Sequence, residues 1–472
     1  MKTNRLFLNN KKTLMAFMSA AVIGVSFIAC SQDDELFEAE VPQKLTGQTR
    51  ASCGLEPITY VERSWDGQKV VSTEKNVTLY SELKENNDSH SVQLESGKWY
   101  VVKSNCLLGV IVAPEGEPAN LIVCDGAKLT SCIEISLGHS LNIFGQAKDA
   151  GQLIARSHLN HERYPAIGSS DDMGKLVIHG CDISAETLQE NNSAIGGGWD
   201  GSGGDITIYG GTVKAQGGRD AAGIGSGEEQ KRDLHGGVLT VYGGTIEAHG
   251  GRHGAGIGGG QDVDGGKVTI YGGTVTAWGG VDAAGIGSGE QFTDDIIDGG
   301  YLTVNGGKVE AHGGEHGAGI GGGQDGHGGE VTINGGTVSA FGGVDAAGIG
   351  TGEGFTEHSL DGGKLFVYGG DVFADGSGWG AGIGGGEDAK GAKVYIFGGK
   401  VVAWAGQDAG KKNGSAIGSE DGDGRRGSLQ LGDNMIVYAG QNPDDANKHL
   451  FPFETRVPAC YFRPYCRVEV RK

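Results

Sequence analysis

The sequence predicts an all-β fold: a right-handed parallel β-helix whose coils alternate between about 29 and 34 residues, capped at both ends. Three observations predict it. The first is a tandem repeat. Runs that open Ile206-Thr-Ile-Tyr-Gly-Gly, Leu239-Thr-Val-Tyr-Gly-Gly and Val268-Thr-Ile-Tyr-Gly-Gly are followed by others at Leu302, Val331, Leu365 and Val394, with successive starts 33, 29, 34, 29, 34 and 29 residues apart. Self-similarity at such a period marks a solenoid, and the alternation makes the working unit a pair of coils about 63 residues long. The second is period-two alternation within each coil: Ile206 and Ile208 alternate with Thr207 and Tyr209, Val213 and Ala215 with Thr212 and Lys214, which is strand and not helix. The third is the Gly-Gly pair at each corner, where the chain needs positive φ. Three short strands per coil, stacked ~4.8 Å apart, bury an apolar ladder that no coil could bury alone. Its rungs are Ile206, Leu239, Val268, Leu302, Val331, Leu365, Val394 and Leu429.

The segments follow in order. Residues 1–29 read as a signal peptide: Lys2, Arg5, Lys11 and Lys12 precede an apolar run from Thr13 to Ala29 that is short for a membrane span. The run ends Phe27-Ile28-Ala29-Cys30, which resembles a lipobox and implies that Cys30 is the lipidated first residue of the mature chain. An ordinary cleaved signal with a chance cysteine is the alternative. Ser31-Gln32-Asp33-Asp34-Glu35 resembles the acidic export tag of Bacteroidetes surface lipoproteins. The expected location is therefore the outer membrane, exposed at the cell surface, with the lipid as the membrane contact. Residues 30–50 form the lipidated cysteine and a polar tether. Residues 51–95 lack glycine corners and read as a β-rich N-terminal cap, 96–440 as the parallel β-helix, and 441–472 as a C-terminal cap. Both ends need cover because an open coil is an exposed sheet edge.

Val268-Thr-Ile-Tyr-Gly-Gly-Thr-Val-Thr-Ala, followed by Ala284-Gly-Ile-Gly-Ser-Gly, resembles bacterial surface proteins with tandem "ITINGGTVTA…GAGIGGG" coils, described as carbohydrate-binding-domain β-helices. The resemblance covers about residues 95 to 470 and implies the architecture. It also implies a polysaccharide partner, since some related-looking β-helices bind acidic polysaccharide with calcium and β-helices as a class include polysaccharide lyases and glycosidases. Fold alone does not choose among these.

Composition narrows the partners. Glycine makes up 92 of 472 residues against 9 prolines, and the formal net charge is −21. Such an acidic chain is not a nucleic-acid binder, which needs clustered cations, and polyanions would need a bridging metal. Of the 8 cysteines, Cys460 and Cys466 are the expected disulfide, while Cys53, Cys106, Cys124, Cys132 and Cys181 leave an odd count and include buried small hydrophobes. No CxxC motif signals a zinc site. A monomer is expected.

Three outward ladders are candidate sites. Gln216, His249, Trp278, His312, Phe341, Asp375 and Trp404 follow the TVxA strands, and Trp278, Phe341 and Trp404 recur 63 residues apart. That places the aromatics ~10 Å apart, near the repeat of a disaccharide, and flat sugar faces stack on such rings. The bland alternative is that the rings cover the glycine corners. The second ladder alternates acid and base, Asp220, His253, Asp282, His316 and Asp345, followed by Trp379 and Asp408; interleaved histidine relieves aspartate repulsion, or makes a pH- or metal-responsive face. The third is Glu228, Gln261, Glu290, Gln324, Glu353, Glu387 and Glu420. Carboxylates suit calcium, although the spacing departs from the nonapeptide calcium repeat; a solvated acidic edge is the simpler account. Long coils also carry extra loops, 229–235, 291–298 and 354–361, with Phe292 and Phe355 in equivalent places.

The leading expectation is a surface protein that holds an extended polysaccharide, with Trp278, Phe341, Trp404, His249 and His312 as the track and Asp282, Asp345, Glu290 and Glu353 bonding sugar or recruiting calcium. The alternative is a β-helical lyase or glycosidase built on the irregular loop carrying Arg156, His158, His161 and Arg163, which offers a base and cations for a uronate. A rigid stalk or an adhesin with a protein partner is the third reading.

Overall fold

The computed structural model describes residues 56–85, 91–157, 164–187, 189–229, 234–293, 295–355, 360–406, 414–419, 427–440 and 464–471. The signal peptide, Cys30 and the tether lie outside the described residues, as do His158, His161, Arg163, Asp408, Glu420 and Cys460.

The described chain is all strand and turn, wound as a parallel β-solenoid. Its first face is a 13-stranded sheet that runs from Ser81–Glu82 to Ser428–Leu431. There the inward ladder is in strict register: Ile206 pairs with Leu239, Leu239 with Val268, Val268 with Leu302, and so on to Leu429. The second face stacks the TVxA strands, with Val213, Ile246, Val275, Val309 and Val338 in line. The third face is made of Ile-Gly pairs from Ile167–Ser169 to Ile417–Gly418. The three inward ladders form one continuous apolar core, and each buried branched side chain contributes about 1.5–3 kcal/mol by leaving water.

Two glycine types make this cross-section. Gly273, at φ 84°, turns the corner between first and second faces. Gly287, at φ 148°, lies on the third face, where the next coil's backbone passes so close that a Cβ would overlap the carbonyl of Gly321. Only hydrogen fits between such coils.

Strands Ile58–Trp65 and Val70–Val77 form an antiparallel hairpin. It lies along the corner aromatics that follow the first-face strands. Phe144, His179, Tyr209, Tyr242 and Tyr271 stack in sequence with ring centroids 4.4, 5.3, 4.9 and 4.9 Å apart. Trp65 packs on Tyr242 and Tyr271 at 5.2 and 5.3 Å. Arg63 bonds both carboxylate oxygens of Asp149, at 3.2 and 2.6 Å, and donates to the His179 carbonyl. Burial pushes the His179 imidazole down to about 4, so it is a neutral ring within the stack. At the other end Tyr465–Val470 runs antiparallel to both Lys400–Trp404 and Met435–Gly440 and stands between them. Cys106, Cys124, Cys132 and Cys181 are buried thiols outside any disulfide. Cys466 is disulfide-bonded, and its partner lies outside the described residues.

Candidate functional site

The first outward ladder is built on the last residue of each second-face strand, so strand register sets it: His249 pairs with Trp278, Trp278 with His312, and His312 with Phe341. Consecutive rings lie 4.3, 5.8 and 4.8 Å apart and within 3–8° of parallel. This corrects the stacking mode expected for them. The faces of Trp278 and His312 are covered by their neighbours, and the row meets solvent through ring edges. Strand spacing is close to the thickness of stacked rings, so mutual stacking wins over presentation of bare faces. Each histidine also bonds a carboxylate two residues earlier: His249 Nε2 to Glu247 at 3.2 Å and His312 Nε2 to Glu310 at 3.1 Å. Lys214 and then His249 hold Glu247 below the usual carboxylate range, and Lys308 and then His312 do the same for Glu310. The row breaks at Asp375, and Trp404 meets Tyr465 of the closing strand edge-on.

The other two ladders are one structure. Looping of the long coils carries Glu290 back over the histidine of the preceding coil. His253 Nδ1 lies 3.1 Å from Asp282 Oδ2 and closer still to Glu290 Oε2, and its Nε2 lies 3.7 Å from Asp220 Oδ1. One coil pair onward, His316 Nδ1 lies 2.6 Å from Glu353 Oε2 and Nε2 3.7 Å from Asp282 Oδ1. The solvated acidic edge is thus overturned at these positions: Glu290 is 4% exposed, Asp282 5%, His253 4% and Glu353 8%. Asp282, Glu290 and Glu353 are too deep to bond a sugar at the surface.

Burial, with the carboxylates of Asp282 and Asp262, pushes Glu290 up to about 8. Burial also lowers His253, against the pull of Asp220 and Asp282. A protonated Glu290 then donates to a neutral His253. Burial raises Glu353, which His316 partly offsets.

Phe292 and Phe355 lie over this row from outside. Asp262, at φ 60°, accepts hydrogen bonds from the Phe292 and Thr293 amides at 2.6 and 2.9 Å. Phe292 then meets His253 edge-on at 5.5 Å. Asp325 and Phe355 repeat the device over His316. Asp345 departs from the pattern. It turns to accept the Trp379 amide at 2.7 Å, because the next coil reads Gly376-Ser-Gly-Trp379 where a histidine would continue the row.

Of the loop expected for catalysis only Arg156 is described; it is exposed and faces Glu186 at 3.7 Å. Sequence reasoning missed a groove of about 570 Å³ between third and first faces, lined in part by Leu137, His139, Asp172, Lys175, Asp205 and His235.

Five stretches, residues 206–228, 239–261, 268–290, 302–324 and 331–353, match the family described as "Beta helix repeat". Each match starts on a first-face strand and ends on the Glu or Gln of the third ladder. No curated protein and no solved structure matches the chain. The five matched stretches are therefore similar to beta-helix repeats, and the described coils stack as a parallel β-solenoid.

Proposed function

We propose that the protein is a lipid-anchored protein of the cell surface that binds an extended, uncharged polysaccharide along the second face of its solenoid. The observation that carries the reading is the in-register outward row His249, Trp278, His312 and Phe341. It offers a polymer one contact per coil, and a two-coil repeat of ~10 Å that approximates a disaccharide. Beside the rings stand Thr245, Glu247, Thr274, Thr276, Glu310, Thr337 and Ser339, all exposed or half-buried hydroxyls and carboxylates. Such groups bond sugar hydroxyls, while ring edges supply apolar contact. The ionised Glu247 and Glu310 and the net charge of −21 disfavour an anionic glycan. Cys30 supplies the anchor.

The test is retention of the full chain on a panel of insoluble neutral polysaccharides, compared with a Trp278→Ala, His312→Ala double variant. At least one polysaccharide should retain the native chain and release the variant. Retention that the double variant keeps in full, or silence across the panel, would sink the reading.

A further inference from the structure

We infer that His253, Asp282 and Glu290 form a binding site for one divalent transition-metal ion, of the zinc or manganese class, that staples the coil beginning at Leu239 to the coil beginning at Val268. The inference does not depend on the polysaccharide reading.

Geometry comes first. One imidazole nitrogen and two carboxylate oxygens, from three separate positions on two coils, lie within 4.8 Å of one another, and all three residues are buried. Around a tetrahedral ion with bonds of ~2.1 Å, ligand atoms stand about 3.4 Å apart. His253 Nδ1 and Asp282 Oδ2 are at 3.1 Å, near that spacing, and the Glu290 carboxylate has only to draw back from the ring. Register holds the coils at a fixed separation, so the ligands are brought together by the fold rather than by the ion.

A second observation points the same way. Asp220 Oδ1 is buried and has no hydrogen-bond partner, in a residue 8% exposed, and it faces His253 Nε2 and Arg219 Nε, each at 3.7 Å. An ion on Nδ1 would fix the ring proton on Nε2, aimed at that oxygen. Metal-bound histidines almost always give their other ring N–H to a carboxylate or a carbonyl in this way. Without an ion, Nδ1 faces the carboxyl groups of both Asp282 and Glu290.

The donor set selects the ion. Imidazole nitrogen with carboxylates suits zinc, and manganese accepts the oxygens, whereas calcium takes six to eight oxygens and no nitrogen. Gln291, buried, and Phe292, edge-on to His253, lie over the cluster. One coil pair onward the set is not repeated, because Asp345 is committed to the Trp379 amide. The three ligand atoms that converge there, from Asp345, Glu353 and Glu387, are all carboxylate oxygens, and His316 Nδ1 bonds Glu353 beside them.

The experiment strips the full chain with chelator, then adds Zn²⁺, Mn²⁺ or Ca²⁺ alone, and measures metal retained after desalting together with the thermal midpoint. We expect one equivalent of Zn²⁺ or Mn²⁺ per chain and a midpoint raised by several degrees. Both effects should be lost in Glu290→Gln and in His253→Gln and kept in His316→Gln. Cobalt substitution of the native chain gives a readout independent of how well the variants fold: visible d–d bands of a nitrogen- and oxygen-ligated ion are expected. No retained metal, retention unchanged in Glu290→Gln, a response to Ca²⁺ alone, or a Co²⁺ spectrum of the free aquo ion would each overturn the site.

Discussion

Replacing Gly287 by alanine tests the thin third face directly. At φ 148° the residue lies where L side chains are strained, and its Cβ would stand 2.8 Å from the carbonyl carbon of Gly321 and closer still to its oxygen. Cβ contacts essentially never fall below 3.0 Å, and the neighbour is backbone, which cannot swing aside. The two coils must part. The hydrogen bonds from Ile286 to Gly319 and from Ser288 to Gly321, at 3.1 and 3.0 Å, are the first to stretch. At about 1 kcal/mol each, with ~1–3 kcal/mol of backbone strain, the cost is roughly 3–5 kcal/mol. Gly126→Ala is the control. That glycine also has positive φ, 81°, but a Cβ there meets nothing within 4 Å, so only strain of about 1 kcal/mol remains. Solenoids can open coil by coil, so amide exchange around residues 280–325 should be read beside the thermal midpoint. Gly287→Ala should expose those amides and lower the midpoint by on the order of 5–10 °C, several times the effect at Gly126. Equal losses at the two sites would show that conformational strain, and not coil-to-coil approach, is what selects glycine on the third face.

Two further outcomes are expected. Glu290 has its folded-state value raised from 4.5 to about 8, so the folded state holds a proton that the unfolded chain releases. Stability from this group is complete below pH ~4.5 and is lost as pH rises through about 8, by roughly 2–5 kcal/mol at most. Melts in chelator should therefore show a decline across that window that Glu290→Gln removes, and an unchanged slope in the variant would refute the assignment. Arg63→Ala deletes the bidentate bond to Asp149, in a side-chain pair only 14% and 23% exposed, at a cost on the order of 2–3 kcal/mol. Hydrogen exchange should rise in residues 58–77 while the second-face strands stay protected. Loss of protection along the whole solenoid would instead make the hairpin part of the core.

The sequence by itself determined the coil. Ile206, Leu239 and Val268 form a ladder because each coil meets its neighbour at a nearly constant offset along the chain, so period-two alternation and glycine corners already state what touches what. The same offset placed His249, Trp278, His312 and Phe341 in one row. Tertiary structure alone decided how those residues meet. The rings turned to stack on each other because strand spacing suits ring thickness, a matter of side-chain rotation that residue spacing does not carry. Glu290 read as a solvated edge because its distance in sequence from His253 says nothing of depth. It is buried where Phe292 is pinned back onto the preceding coil by Asp262, which accepts the Phe292 amide. Asp345, equivalent to Asp282 by position, left the row because the next coil offered it the amide of Trp379 in place of a histidine. Backbone register is set by local pattern repeated many times, whereas a buried polar cluster depends on single contacts that only the folded neighbours supply.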